Sequence, residues 1–297
     1  MKIFVWILLF LLVINVIAAL ITVFRKPRSI SSVLAWMMTL IFLPGIGFII
    51  YLFCGRGIDG QEVFKLSDDE KQMVQRIKEK VDIDNKKAGR DKRYDLLYDA
   101  KVLNRYFRNM DASPLAKRNS LQLFTDGQEK FQALFEDIRA AKETVHVEYY
   151  AFFNDTIGNQ FLDVLIEKLH EGVEVYLIYD PWGSPGANKK FFARYVDAGG
   201  KVAPFITSRD MIRKTRLNYH LHRKIVVIDG KIGWTGGFNV GDQYLNVTEK
   251  FGYWRDTHIR LVGTAVFSLQ EIFIMDWNAS VKYPEEQIGR ASCRERV

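Results

Sequence analysis

The sequence predicts an α/β domain with a mixed β-sheet covered by helices on both faces, preceded by two membrane-spanning segments. Three observations support this fold class. From about residue 120 onward, short runs rich in β-branched and aromatic residues alternate with helical stretches. Two long apolar runs occupy the first 56 residues. The chain of 297 residues is 48% hydrophobic, which suffices for a buried core as well as these runs.

The two apolar runs cover residues 3–24 and 33–53. Each contains about the 20 residues that cross the hydrocarbon core of a bilayer. A signal peptide is the alternative for the first run, but its length and the second run close behind favour a membrane hairpin over residues 1–56. Pro44 and Gly45 lie inside the second run, so we expect this helix to kink or the segment to be re-entrant.

A polar segment, residues 57–119, follows the apolar runs. Within it, LSDDEKQMVQRIKEKV is typical of a solvated linker helix, with Ser67 as the N-cap and Glu70 at the capping-box position. The α/β domain is predicted over residues 120–287. Residues 288–297 have no apolar period and no cap, and we interpret them as a tail that is not native to the protein.

Within the predicted domain, strand-like runs enriched in Val, Ile, Tyr and Phe alternate with helical stretches. The strands are predicted at residues 121–127, 144–153, 173–179, 201–206, 225–228, 231–235 and 253–262. The helices are predicted at residues 128–142, 158–170, 189–198 and 263–277. Asp229-Gly230 is predicted to form the tight turn of a hairpin between the fifth and sixth strands.

The most informative segment is NYHLHRKIVVIDGKIGWTGGFNVGDQY, residues 218–244. It contains His222, Lys224 and Asp229 with the spacing H-x-K-x4-D. Because side chains alternate along a strand, His222 and Lys224 point to the same face and can meet one ligand. Asp229 has the opposite parity, so capping of the turn is at least as good an interpretation for it as contact with substrate. After six further residues come Gly236, Gly237 and Asn239.

These residue types suit chemistry on a phosphodiester. Imidazole is a nucleophile near neutral pH because its ordinary pKa is about 6.5. Lysine supplies a compact positive charge, which stabilises phosphate oxygens. The constellation requires no metal and no cofactor, and no cluster with metal-ligand spacing occurs elsewhere in the sequence. An acid that orients the imidazole is expected, and the candidates are Asp242, Glu249 and Asp256.

The H-x-K-x4-D motif with its glycine pair and asparagine resembles the signature of the phospholipase D superfamily. HRKIVVIDGKIG and GGFN resemble the bacterial cardiolipin synthases, and so do EYY at 148–150, Asp180, Gly183-Ser184 and YWRDTHIRLVG. The resemblance implies a phospholipase D-like fold. It implies that His222 attacks phosphorus and carries a phosphohistidine, while Lys224 and Asn239 hold the non-bridging oxygens. Gly237 is placed with the substrate-binding residues and Asp229 with the catalytic ones.

The resemblance further implies transfer of a phosphatidyl group between two phosphatidylglycerol molecules, which gives cardiolipin and glycerol. Bacterial cardiolipin synthases carry two such motifs, whereas this chain has one. We therefore expect an N-terminal half that is nearly inactive alone and needs a missing C-terminal half-domain or a second chain. Two alternatives stay open: a single-motif homodimeric phosphodiesterase of the phospholipase D type, and a non-catalytic lipid-binding membrane protein.

The distribution of charge favours a lipid partner. The net charge is +7, and residues 201–224 alone carry seven basic side chains against one acidic side chain. Such a stretch attracts anionic lipid or a nucleic-acid backbone, and the two apolar runs favour lipid. We expect no nucleic-acid partner and a multi-pass protein of the bacterial inner membrane. Its catalytic domain is expected on the cytoplasmic side, although the basic flanks of the two runs are nearly balanced.

Five further polar residues in the predicted domain receive no catalytic role. Glu148, Asp180 and His258 stand at or near predicted strand ends, where ligand crevices often lie. Ordinary turn caps and core hydrogen bonds account for most residues of this kind. His146 and His220 are interpreted as structural or rim residues.

Overall fold

A computed structural model describes residues 29–43, 46–51, 118–205, 220–247 and 249–281, with isolated positions at 5–7, 9–14, 17, 21, 54, 72, 75, 76, 79, 83, 86, 102, 106, 116 and 288. The chain divides into two compact units. The first contains residues 1–63 and 206–219, and the second contains residues 64–205 and 220–297. The predicted linker helix, the tail from residue 289 onward and the basic residues between 206 and 219 lie mostly or wholly outside the described residues.

The second unit is built on one seven-stranded mixed sheet, as predicted. Its order is β1-β7-β6-β5-β2-β3-β4. The β2–β3 and β3–β4 pairs are parallel, and all other neighbours are antiparallel. The strands are β1 Ser120–Phe124, β2 Thr144–Tyr149, β3 Glu174–Tyr179, β4 Lys201–Pro204, β5 Lys224–Ile228, β6 Ile232–Gly236 and β7 His258–Val262.

Helices cover both faces of this sheet. In the first unit the described helices are α1 Ile30–Phe42 and α2 Ile46–Ile50; in the second they are α3 Gly127–Arg139, α4 Thr156–His170, α5 Lys189–Asp197 and α6 Val266–Ser280. Phe131 on α3, Phe161 on α4 and Phe192 on α5 belong to one buried core cluster with the sheet. On the opposite face, Val266 and Leu269 of α6 pack against β5. The predicted two-sided covering is therefore confirmed.

Side-chain caps fix where three of the helices begin. Asp126 accepts hydrogen bonds from the first N–H groups of α3, Asp155 from Gly158 of α4, and Asn188 from the first residues of α5. Each cap satisfies backbone donors that have no partner within the helix. The starts predicted for these helices lie within two residues of the observed ones.

Two strands are shorter than predicted because their partners end. The predicted strand 144–153 stops at Tyr149, and beyond it Phe152 makes only an isolated bridge to Val240. The predicted strand 253–262 begins only at His258, which pairs with Gly236, the last residue of β6. Residues 150–153 and 253–257 have the composition of strands but lie outside β2 and β7. Strand pairing, and not composition, therefore sets the end of β2 and the start of β7.

In the first unit, the second apolar run, for which a kinked helix or a re-entrant segment was predicted, forms two helices. Helix α1 is N-capped by Ser29, whose hydroxyl accepts from Ser32 N at 3.3 Å, and it ends at Phe42 with Leu43 as the C-cap. Helix α2 follows after two residues outside the described set. Among the described residues no helix is both long and apolar enough to cross a bilayer, so the predicted two-helix anchor is not seen there.

Candidate active site

Tyr150 brings His222 and Lys224 together at the start of β5. The rings of Tyr150 and His222 have centroids 4.8 Å apart and are tilted by 52°. The Lys224 amine lies 5.3 Å from the centroid of the same tyrosine ring. The imidazole is exposed, whereas Lys224 is only 4% exposed. The two predicted phosphate-handling residues therefore flank one aromatic side chain, with the histidine open to a substrate.

Asp180 fixes the segment that carries His222. It directly follows β3, and its carboxylate is 2% exposed. One oxygen accepts a hydrogen bond from the backbone N–H of Leu221 at 2.8 Å, and the other accepts from Trp182 at 2.8 Å. The same carboxylate lies 3.7 Å from Nδ1 of His220. A buried acid thus holds the residue immediately before His222.

A second buried acid holds the residue immediately after His222. The Arg223 guanidinium forms an ion pair with Asp276 on α6, and Asp276 is 1% exposed. The carbonyl of Arg223 accepts a hydrogen bond from the backbone N–H of Tyr150 at 3.0 Å. The backbone around His222 is therefore fixed from β3 on one side and from α6 on the other.

The charges around His222 favour a neutral imidazole. The positive charge of Lys224 lowers its pKa below the ordinary 6.5, and partial burial adds to this, while the Asp180 carboxylate opposes both. At neutral pH the ring nitrogen that acts as a nucleophile therefore keeps its lone pair.

Lys224 remains a cation near neutral pH although it is buried. Burial lowers its pKa from 10.5 to about 8, and the Asp256 carboxylate partly opposes that shift. A cation in a largely desolvated position interacts with a phosphate oxygen more strongly than one in water.

Asn239 presents an amide whose orientation is fixed by the protein. Its oxygen accepts from the backbone N–H of Ala151 at 3.1 Å, and its nitrogen donates to the Tyr244 hydroxyl at 2.8 Å. Asn239 is 8% exposed. An amide nitrogen carries two N–H groups, so one donor has no partner among the described residues and can serve a substrate oxygen.

Gly236 and Gly237 leave space for Asp256 and Thr257, the two residues that precede β7. A Cβ at Gly237 would lie 1.9 Å from the Asp256 carboxylate, and a Cβ at Gly236 would lie 2.4 Å from the carbonyl oxygen of Thr257. The N–H of Gly237 donates to that same carbonyl at 2.8 Å. Here Gly237 allows Asp256 to approach the site, while its own N–H is already used within the protein.

Asp229 lies away from these residues, at the other end of β5. Five residues of strand place it about 16 Å from Lys224. Its carboxylate accepts backbone N–H groups of Lys142, Glu143 and Thr144 at 2.9, 2.8 and 2.9 Å. Asp229 therefore ties the β5–β6 turn to the start of β2, and the structure does not bring it to His222.

No carboxylate among the described residues is hydrogen-bonded to the His222 ring, so the acid expected to orient the imidazole stays a prediction. Of the three candidates, Asp242 caps the start of α4 through Thr156 and Ile157, and the side chain of Glu249 lies outside the described residues. Asp256 acts on Lys224. Asp180 opposes the lowering of the His222 pKa and holds the neighbouring Leu221, and its position directly after a buried strand is the sequence signal for this polar residue.

The other polar residues of this unit lie deeper. His146 is 3% exposed and stacks on Phe273 at 4.6 Å, and His258 is 1% exposed. Glu148 is fully buried beside Asp276 and Arg223, and its pKa is raised well above the usual range by burial and by the Asp276 carboxyl. Within the described ranges no three His, Cys, Asp or Glu side chains form a group that could hold a metal ion.

The arrangement can bind and attack a phosphodiester. A neutral, exposed imidazole provides the nucleophile, and a cation and an amide donor lie nearby to neutralise the phosphate oxygens. The nucleophile's backbone is fixed on both sides, which limits the entropy lost on reaching the transition state.

Comparisons with known proteins agree with this chemistry. The family model described as "Cardiolipin synthase, PLD-like domain" matches residues 134–263, and "Phospholipase_D-nuclease N-terminal" matches residues 13–56. The cardiolipin synthase of Listeria monocytogenes is 42% identical over 286 residues, which are 93% of this chain and 57% of that protein. The major cardiolipin synthase ClsA of Bacillus subtilis is 41% identical over 268 residues, 90% of this chain and 55% of that protein.

The chain thus spans little more than half the length of these curated relatives. Among solved structures, Nuc of Salmonella typhimurium, a phospholipase D family member, is 17% identical with a TM-score of 0.44, covering 56% of this chain and 99% of that one. This structural likeness is too weak to support an argument. The sequence relationships are strong enough to assign a family: the chain belongs to the phospholipase D superfamily and, within it, to the family of the bacterial cardiolipin synthases.

Proposed function

We propose that this chain supplies one half of the active site of a cardiolipin synthase, with His222 as its nucleophile. The observation that carries the proposal is the exposed, neutral imidazole of His222, which shares the Tyr150 ring with the buried cation Lys224. The relatives of this chain are named cardiolipin synthases, and the substrate inferred from them is phosphatidylglycerol.

In the first step, an imidazole nitrogen of His222 bonds to the phosphorus of one phosphatidylglycerol, and the bond between phosphorus and the glycerol oxygen breaks. Lys224 and the remaining N–H of Asn239 hold the non-bridging oxygens. A general acid protonates the departing glycerol. In the second step, the hydroxyl of another phosphatidylglycerol attacks phosphorus, loses its proton to the same group and releases His222. Two phosphatidylglycerol molecules give one cardiolipin and one glycerol.

The general acid comes from a second H-x-K motif, located in a further domain or in a second copy of this chain. The acids described around the site already have partners: Asp180 accepts two short backbone hydrogen bonds, Asp276 is paired with Arg223, and Asp256 accepts the backbone N–H of Thr257 at 2.7 Å. Loss of a general acid costs about 10²–10⁴-fold in rate. This chain alone is therefore expected to turn over phosphatidylglycerol very slowly.

The apolar runs hold the protein in a bacterial membrane, where the anionic substrate resides. The match of residues 13–56 to an N-terminal family model supports this assignment. No charged residue occurs between Arg28 and Arg56. The catalytic unit is proposed to face the cytoplasm, and its anionic lipid partner is attracted by the excess of basic residues within 201–224.

An activated lipid tests this half-site directly. Phosphatidyl-p-nitrophenol has a leaving group that needs no general acid. We expect the purified chain in detergent to release p-nitrophenolate in a burst stoichiometric with protein. His222→Gln is expected to abolish the burst, whereas His170→Gln, at the exposed end of α4, should leave it unchanged.

Phosphatidylglycerol itself should be consumed at least about 10²-fold more slowly than the activated lipid. Equal rates for the two lipids would show that the general acid is already present in the chain or its dimer. Absence of a burst with the wild-type chain would refute His222 as a nucleophile and favour a lipid-binding role.

A further inference from the structure

The second apolar run folds back on itself. Helix α2 packs against α1 at Gly47, where an added Cβ would lie 2.5 Å from the carbonyl oxygen of Thr39 and 3.3 Å from Cα of Leu40. The rings of Trp36 and Tyr51 meet edge to face, with centroids 5.4 Å apart. Gly47 therefore contacts Thr39, whereas Tyr51, which comes later in the chain, contacts Trp36, which comes earlier in α1. The two helical segments are antiparallel.

A continuous helix cannot make these contacts. Residues 39 and 47 would be about 12 Å apart along the axis of a straight helix, and residues 36 and 51 about 22 Å apart. The reversal occurs after Phe42, where Leu43 leaves the helical conformation with φ −121° and ψ 67°. Its N–H still donates to Thr39 O at 3.1 Å, and Gly47 N–H donates to Leu43 O at 2.6 Å.

Gly47 makes the close approach of the two helices possible. The atoms that a Cβ would meet belong to the backbone of α1, so no side-chain rearrangement could relieve the collision. Leu40, beside this contact, is fully buried. A larger residue at position 47 would have to separate α2 from α1.

The outer surface of this hairpin suits lipid hydrocarbon. Its exposed side chains are large and apolar, and they include Ile30, Leu34, Met38, Ile41, Phe42, Ile46 and Ile49, all at least half exposed. The Thr39 hydroxyl donates to Ala35 O at 2.8 Å, so this polar group is satisfied within the helix. Backbone and hydroxyl groups that are paired internally are what a bilayer interior requires.

We propose that residues 30–51 form a re-entrant hairpin, which enters and leaves the bilayer at the same surface. Helix α1 has 13 residues and is about 20 Å long, which is less than the roughly 30 Å of the hydrocarbon core. Phe42, at the end of α1, then lies within the core, and Ile30 and Tyr51 lie near the surface where the hairpin enters. This inference rests on the membrane association proposed above.

Labelling of single cysteines tests the topology on the full chain in sealed membrane vesicles of both orientations. In a Cys293→Ser background, one variant keeps Cys54, and another carries Cys54→Ser with Ser31→Cys; both positions are exposed. A membrane-impermeant maleimide should label both positions in vesicles of one orientation and neither in the other. Labelling in vesicles of opposite orientation would overturn the hairpin. A chain absent from the membrane fraction would instead refute the proposed membrane association.

Cross-linking tests the same fold without reference to sidedness. With the native cysteines replaced, Trp36→Cys with Tyr51→Cys should be joined within one chain by a short bis-maleimide. Adding Gly47→Leu should reduce the joined fraction several-fold, whereas Ile49→Leu, at an exposed position, should not change it. No cross-link in the parent pair would contradict the hairpin.

Discussion

At His222, two charged side chains act on one imidazole in opposite directions. Lys224 lowers its pKa and Asp180 raises it, with Lys224 the stronger influence. The balance keeps the ring neutral at pH 7, although the Asp180 carboxylate favours the cationic form. Asp180 also accepts the N–H of Leu221, so it influences both the position and the charge of the proposed nucleophile.

The effects of Lys224 and Asp180 on the pKa of His222 can be measured separately by mutation. Asp180→Asn is expected to lower the pKa of His222 further, because the opposing negative charge is removed. Lys224→Met is expected to raise it, because the larger positive influence is removed. Both shifts can be measured by NMR titration of the His222 ring, assigned with His222→Gln. Asp163→Asn, on the exposed face of α4, serves as the control and should leave the pKa unchanged. Shifts of the same sign in both variants would contradict this electrostatic account.

At the scale of single elements, β5 separates the two ends of the H-x-K-x4-D motif. Lys224 opens the strand at the active site, and Asp229 closes the turn beyond its other end. Asp229 has φ 50°, in the left-handed region, where Asp and Asn are the best tolerated of the non-glycine residues. Within the motif, Lys224 therefore belongs to the candidate site, whereas Asp229 stabilises the fold.

Asp229→Ala is expected to destabilise the folded chain by about 1–3 kcal/mol, because three backbone N–H groups lose their acceptor. Asp229→Asn retains an acceptor and should lose less. Thermal unfolding of the detergent-solubilised chain measures the loss. The p-nitrophenolate burst per folded molecule should remain in both variants. A burst lost in a fully folded Asp229→Asn variant would place Asp229 in the reaction itself.

The helix predictions succeeded where the information is local. The capping residues Asp126, Asp155 and Asn188 directly precede their helices in the sequence. The starts of α3, α4 and α5 could therefore be predicted from the sequence. His222 and Lys224 are two residues apart. The role of Asp180 depends on the parallel neighbours β2 and β3 and on a return of the chain 41 residues later, which no local pattern encodes. The ends of β2 and β7 likewise depend on where their partners stop.

At the scale of the whole molecule, the second unit buries acids on the face of the sheet opposite α3, α4 and α5. Glu148 on β2 lies beneath α6, near Asp276 and Arg223. Burial and the Asp276 carboxyl raise its pKa, so it is protonated in the folded chain at pH values where it ionises in the unfolded one. The packing of α6, and through Arg223 the segment with His222, is thereby linked to pH.

This linkage has a definite sign. Above the ordinary pKa of about 4.5 the unfolded chain releases the Glu148 proton and the folded chain keeps it, so stability falls as pH rises. Glu148→Gln keeps a neutral side chain of the same shape, and we expect a smaller loss of stability with rising pH. Thermal unfolding of the solubilised chain over a pH series checks this. The exposed Glu136→Gln is the control. Identical pH dependence in the wild type and Glu148→Gln would contradict the assignment.

The measurement that tests the central claim most directly is the position of the covalent phosphatidyl group after the burst with phosphatidyl-p-nitrophenol. Cleavage after Arg216 and Arg223 gives the peptide LNYHLHR, which contains both His220 and His222. Mass spectrometry at neutral pH, where a phosphohistidine survives, should find the group on His222. It should persist in His220→Gln and disappear in His222→Gln. A phosphatidyl group on His220, or on another peptide, would contradict the assignment of the nucleophile.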